Sequence, residues 1–218
     1  MGKIFNLWVG IIFFISICSR TTGQEFIPTF RQYSNAEGLS QSVVISVFQD
    51  SKNFLWLGTE DGLNKFDGYN FKIYRYDPAD SSSISDNWIE RIYIEDKDND
   101  LWIVTGDRNI NIFSPKYEQF RHIIPEEKGK NKLLPFQWIF FITQDKSGFI
   151  WISSDRGLFR LNKKTLEAQP VYINSDASDP RIFRHFHEDK NNNIWIGSNK
   201  GLLIWNNNNN SILKEAFC

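Results

Sequence analysis

The chain has 218 residues, of which 41% are hydrophobic and 16% aromatic, with a formal net charge of -1. That is enough apolar material for a sizeable core, and the interspersed charges form no acidic or basic block that would draw nucleic acid or an anionic membrane as main partner. Of the two cysteines, Cys18 lies in an early apolar stretch and Cys218 is the last residue. An internal disulfide is therefore excluded once that stretch is removed, and no Cys/His set has metal-ligand spacing.

The N-terminus reads as a secretory signal over residues 1–23. Lys3 supplies the positive start, residues 4–17 are an apolar run of 14, and Thr21-Thr22-Gly23 are small residues before Gln24. The run is short for a membrane span, which needs about 20 apolar residues, and Ile17 is bulky for a lipid-modified Cys18. The mature chain is expected to be exported to the periplasm, with no cofactor and no metal. Residues 24–37 follow, and Phe30-Arg31-Gln32-Tyr33 resembles the outermost strand of the repeats described next. Closed propellers use such an orphan strand to complete their last blade.

Four copies of one pattern fill the rest. Asp50, Asp96, Asp145 and Asp189 each stand six residues before a tryptophan, namely Trp56, Trp102, Trp151 and Trp195. A spacing of 44 to 49 residues between tryptophans is that of stacked supersecondary units, with propeller blades the first candidate. The copies read DSKNFLWLGTEDGLNKF (50–66), DKDNDLWIVTGDRNINIF (96–113), DKSGFIWISSDRGLFRL (145–161) and DKNNNIWIGSNKGLLIW (189–205). Three residues after each Asp comes Asn53, Asn99, Gly148 or Asn192, residue types that tolerate positive φ. This is the chemistry of a type I turn with a bulge.

Strand-like runs precede each Asp at 43–49, 89–95, 139–144 and 182–188. Gly62, Gly157 and Gly201 mark second turns leading to third strands at Leu63, Leu158 and Leu202. The second copy has one extra residue and Arg108-Asn109 in place of Gly, so its turn is expected to differ. Fourth strands are expected at 71–74, 120–123, 171–173 and 212–217, with 206–210 a polar hairpin tip. Four antiparallel strands per repeat and no helical period predict an all-β chain of four propeller blades at 38–80, 81–128, 129–176 and 177–218. The repeated tryptophans then read as blade-to-blade packing. Because 212–217 supplies the fourth copy's own last strand, residues 30–33 lack partners, and the chain reads as the N-terminal piece of a longer protein, with further blades and domains as partners.

The segment GLSQSVVISVFQDSKNFLWLGTEDGLNKFDGYNFKIYRYDPADSSSISDNWI (38–89) resembles the two-component regulator propeller repeat, and the resemblance extends from residue 30 to about 205. It rests on the D-x-x-G/N-x-I/L-W-I-G-T core followed by D-G-L-N-K-F-D-G, and the second and fourth copies are more degenerate. It implies the periplasmic sensor part of a hybrid histidine kinase of the Bacteroides type. In that family two seven-bladed propellers precede an immunoglobulin-like domain, a span of the inner membrane, a kinase core, a receiver and an AraC-type DNA-binding domain, and the propellers sense carbohydrate. These 218 residues hold no phospho-acceptor helix and no nucleotide box, so the chain is expected not to be an enzyme by itself.

Propeller ligands usually meet the channel mouth, where second-to-third and fourth-to-first loops converge. The former are Thr59-Glu60-Asp61, Thr105-Gly106-Asp107-Arg108, Ser154-Asp155-Arg156 and Ser198-Asn199-Lys200, all polar and suited to sugar hydroxyls. Trp88 and Trp138 precede first strands in two copies only, as a ligand-specific position would, and flat aromatic faces stack on sugar rings. Asn87, Gln137, Arg108 and Arg156 complete the expected site, with an oligosaccharide as ligand. His185 and His187 alternate about Phe186 and would share one side of a strand. Two alternatives stay open: a secreted glycan-cleaving enzyme using Glu60, Asp61, Asp107 or Asp155, and a non-catalytic dimerisation scaffold.

Overall fold

The computed structural model describes residues 29–123, 138–172, 181–207, 209 and 211–216; the expected signal segment lies outside them. Residues 33–218 form one unit. After a single 3-10 turn at Asn35–Glu37, capped by Ser34, the described residues are strands and turns.

Blade 1 consists of β1 (Val44–Gln49), β2 (Leu55–Thr59), β3 (Gly62–Phe66) and β4 (Phe71–Tyr74). Blade 2 consists of β5 (Ile89–Glu95), β6 (Leu101–Thr105), β7 (Ile110–Ser114) and β8 (Gln119–Ile123). Blade 3 has β9 (Ile139–Gln144), β10 (Ile150–Ser154), β11 (Gly157–Asn162) and β12 (Glu167–Val171), and blade 4 has β13 (Phe183–Glu188), β14 (Asn193–Ser198), β15 (Gly201–Asn206) and β16 (Ser211–Ala216). Every sheet runs in sequence order and is antiparallel throughout, as short hairpin connections require. First strands of successive blades lie beside one another, β1 with β5, β5 with β9 and β9 with β13.

The turn chemistry is as expected. Asn53, Asn99, Gly148 and Asn192 have φ of 67, 65, 92 and 62°, and the N–H of each donates to the carbonyl of the Asp three residues earlier. The second copy's longer turn places positive φ on Arg108, at 69°, where the other copies use glycine. One expectation is corrected. The last strand of blade 3 is Glu167–Val171, not 171–173, because Leu166 takes φ of 56° and starts the strand early. Pro170 sits inside it opposite Phe159, which an outermost strand tolerates since one of its edges needs no N–H. Residues 29–34 carry no strand; Tyr33 instead packs edge-on against Phe66 and Phe71 at 5.0 and 5.9 Å.

The core lies between blades. Trp56 and Leu63 of blade 1 pack with Ile89, Ile92, Leu101, Ile103 and Phe113 of blade 2. Trp102 and Ile112 of blade 2 pack with Ile142, Ile152 and Leu161 of blade 3, and Trp151 and Leu158 pack with Phe183, Ile194 and Leu203 of blade 4. Alternate residues of each strand thus face opposite neighbours. Each Asp that opens a repeat does more than start a turn. One carboxylate oxygen accepts the Trp Nε1–H at 2.8, 2.8, 2.9 and 3.0 Å in the four blades, and the other accepts backbone N–H groups of the turn, including that of the residue four on. The tryptophan therefore buries its area without leaving its N–H unpaired.

A second repeated device latches neighbouring blades. The residue just before each Asp is Gln or Glu, and in blades 2, 3 and 4 its side chain accepts a backbone N–H from the preceding blade's turn. Glu95 takes Ser51 N–H at 2.6 Å, Gln144 takes Lys97 N–H at 2.8 Å, and Glu188 takes Lys146 N–H at 2.6 Å. Between blades 2 and 3, the Lys163 ammonium also reaches Asp96, Asp98 and Asp100 at 2.6, 2.8 and 3.0 Å. Burial works to lower the Lys163 pKa, but the three carboxylate hydrogen bonds outweigh it and hold it above its ordinary value.

Candidate functional site

The second-to-third turns are each tied off by the hydroxyl before the turn. In three blades it donates back across the turn: Thr59 to the Gly62 carbonyl at 3.0 Å, Ser154 to Gly157 at 3.2 Å and Ser198 to Gly201 at 2.7 Å; in blade 2 the Thr105 hydroxyl donates to the Asp107 carboxylate at 2.6 Å. These turns form a fixed rim, onto which the segments leading into the first strands are stitched. In blade 3 the exchange is reciprocal, with Asp155 N–H donating to the Trp138 carbonyl at 3.0 Å and Trp138 N–H to the Asp155 carboxylate at 2.9 Å. Blade 4 repeats it with Asn199 and Ile182 at 3.2 and 2.9 Å.

Blade 2 replaces that Asp/Asn with Gly106, whose N–H donates to the Trp88 carbonyl at 2.8 Å. A Cβ on Gly106 would stand 3.0 Å from the Trp88 Cβ, so the glycine makes room for the indole. Trp88 and Trp138 are 50% and 49% exposed, unlike the buried tryptophans of the repeat, and nearby Tyr76 is 49% exposed. The Arg108 guanidinium from blade 2 lies 4.0 Å from the Trp138 ring centre, bridging two blades by a cation–π contact. No described ring or cation stacks on Trp88.

Of the expected site residues, the structure therefore brings Arg108 and Trp138 together and places Trp88 on the same rim. Arg156 is exposed beside Asp155, at 3.7 Å. Asn87 spends its side-chain oxygen on the Tyr76 N–H at 2.8 Å, and its carbonyl accepts the Gly62 N–H at 2.8 Å, joining blade 1 to blade 2. Gln137 lies outside the described residues.

The loop carboxylates weighed for acid/base work are held within their own blades. Asp61 pairs with Arg75 at 2.8 Å, Glu60 accepts from Gln41 at 3.4 Å, and Asp107 accepts from Thr105 at 2.6 Å and Asn109 at 2.6 Å. His185 and His187 are both exposed on blade 4, and among the described residues no three His, Cys, Asp or Glu side chains group to hold a metal ion.

Sequence reasoning missed the polar clasps behind the rim. Ser40 N–H donates to the Asn64 side chain at 2.9 Å, and Ser40 shares a 2.8 Å hydroxyl bond with Thr59. In blade 2, Ser85, Asn111 and Thr105 repeat the arrangement at 3.0 and 3.0 Å. The signal was present: Leu39-Ser40 and Ile84-Ser85 occupy the same place in their copies, as do Asn64 and Asn111. Blades 3 and 4 carry Phe159 and Leu203 where Asn would stand, so the clasp belongs to the first two blades.

Four sheets with stacked faces and a loop rim define the class: a β-propeller repeat protein. The two component regulator propeller family model matches residues 38–61 and 177–200, in the first and fourth repeats. It is 36% identical over 250 residues to "Histidine kinase P4" of Formosa agariphila, covering 92% of this chain and 18% of that protein. Among solved structures it is similar to the extracellular domains of two B. thetaiotaomicron proteins named as hybrid two-component systems. BT4673 matches with a TM-score of 0.63 and 26% identity over 88% of this chain and 27% of that one. BT3049 matches with 0.59 and 24% over 84% and 31%. A virginiamycin B lyase from Staphylococcus aureus shares the fold at 14% identity and a TM-score of 0.54, over 80% of this chain and 55% of that one. The chain thus spans less than a third of each of the regulatory proteins it resembles.

Proposed function

We propose that the chain is the ligand-sensing propeller part of an exported sensor region belonging to a membrane-anchored two-component histidine kinase, and that its ligand is a carbohydrate. The likeness to a histidine kinase and to extracellular domains supports the first half. One observation carries the second: two half-exposed tryptophans stand at the same place in neighbouring blades, on a rim of tied-off polar turns. Trp88 offers a bare face for a sugar ring, the Arg108–Trp138 pair offers a second, and the exposed Arg156 guanidinium offers hydrogen bonds to hydroxyls. Asn87 and the Asp155 carboxylate position these groups. Binding across blades would bias their packing and pass the change to the rest of the parent protein.

Calorimetry of the chain against a panel of neutral oligosaccharides tests this, with tryptophan fluorescence as second readout. A binder should appear, and Trp88→Ala should weaken it about tenfold or more, the effect of losing about 1.4 kcal/mol. No binder in the panel, or full binding by the variant, refutes the rim as the sugar site.

A further inference from the structure

The first strand of every blade is bulged at the same place. The ladder with the second strand slips between Val44 and Ser46, between Ile89 and Arg91, at the Phe141/Ile139 step, and between Phe183 and His185. The extra residues are Ile45, Glu90, Phe140 and Arg184, one apolar, one acidic, one aromatic and one basic. A bulge leaves its residue out of the ladder and re-aims its side chain, and bulges gather where a strand serves recognition. Here the fold keeps the bulge while the chemistry at it changes from blade to blade.

Three of these residues meet. Glu90, Phe140 and Arg184 line one cavity of ≈ 380 Å³ across the first strands of blades 2, 3 and 4, with Arg91, Tyr93 and His185 beside them. Arg184 lies 5.8 Å from the Phe140 ring centre and Arg91 lies 5.6 Å from that of Tyr93. Both guanidiniums are exposed, and among the described residues neither has a carboxylate within ion-pair distance. Tyr93 is built into the wall. Its hydroxyl donates to the Ile139 carbonyl at 2.8 Å, and burial pushes its pKa up to about 12, so it keeps that proton. The wall thus presents two cations against the single carboxylate of Glu90, with aromatic faces beneath them.

We infer that this cavity on the first strands is a second binding site, separate from the tryptophan rim, and that it takes a small organic anion whose carboxylate or sulfate engages Arg184 and Arg91 while its apolar face rests on Phe140. Guanidinium pairs with such oxyanions by charge-assisted hydrogen bonds, and an aromatic floor limits competing hydration.

The test is titration of the chain with sodium galacturonate, with galactose as neutral counterpart, followed by the Arg Nε–H signals of the protein in nuclear magnetic resonance. The expected result is that galacturonate shifts the Arg91 and Arg184 signals while galactose does not, and that raised salt weakens binding. Arg184→Ala should weaken galacturonate binding about tenfold, as loss of a hydrogen bond to a charged group does, and Arg184→Lys should restore part of it. Both positions are exposed, so matched circular dichroism of the variants is expected. Trp88→Ala should leave the anion titration unchanged, which separates failure of this site from failure of the rim. Absence of galacturonate shifts, equal shifts with galactose, or equal binding by Arg184→Ala overturns the proposal.

Discussion

Blade 2 and blade 4 carry the same Asp-x5-Trp unit and the same strand order, yet the tryptophans live in different surroundings. Trp102 is fully buried and every residue of β6 is buried with it, because blades 1 and 3 cover both faces. Trp195 is half-buried, and in β14 only Ile194 and Ile196, which face blade 3, are fully covered. Its hydrogen bond to Asp189 is nonetheless kept at 3.0 Å. The difference teaches that the local unit holds its own geometry, whereas its contribution to stability comes from the neighbour that covers it.

The largest expected effect separates the two tryptophans. Trp102→Ala should destabilise the chain by about 3–5 kcal/mol, as large-to-small changes of buried aromatics do. Trp195→Ala should cost no more than about 1–2 kcal/mol for its smaller buried area. Urea midpoints measure both, and equal losses would break the comparison.

Glycines at one shared position come next. A Cβ on Gly58 would lie 2.6 Å from Ile89 Cγ2 in the next blade, so Gly58→Ala should cost about 1–3 kcal/mol through overpacking. At the matching Gly197 a Cβ meets the His185 Cβ at 3.6 Å and the His185 carbonyl oxygen at 3.9 Å, both ordinary contacts. Gly197→Ala should be neutral or stabilise by about 0.5 kcal/mol through reduced unfolded-state freedom. Thermal melts of the pair sharpen the comparison, and a reversed order contradicts it.

The latch residues give a smaller contrast. Glu95→Ala removes the acceptor of Ser51 N–H and should cost about 1 kcal/mol. Gln49, at the same place in blade 1 but exposed, should cost less than about 0.5 kcal/mol on truncation. Similar losses at both would mean that the latch does not act between blades.

The smallest effect in stability is the most specific chemically. The Trp195 Nε1–H bond, followed by the Asn193 backbone N–H, holds the Asp189 pKa well below its ordinary value of 3.8. A lowered carboxylate pKa adds stability above the ordinary value and loses it as pH falls through the folded value. Trp195→Phe removes the leading donor, so the Asp189 carboxyl titration, followed by nuclear magnetic resonance, should move up toward 3.8. An unmoved midpoint would show that the backbone donors suffice.

Local chemistry written in a single stretch of chain was readable beforehand: the four Asp-x-x-Asn/Gly turns, the hairpins after them and the four-strand period. Such features depend on φ preferences and on residues two to six apart, which adjacent positions determine. The reading failed where a neighbour overrode a local rule. Glu95, Gln144 and Glu188 were plain in the sequence as the residues before each Asp, but their role lies in a turn of the preceding blade more than 40 positions away in the chain. By itself the sequence determined what a blade is. Only the tertiary structure decided which tryptophan is buried, that Arg108 lies on Trp138, and that three bulges meet in one cavity, since burial and cross-blade contact arise from packed neighbours and not from residues close along the chain.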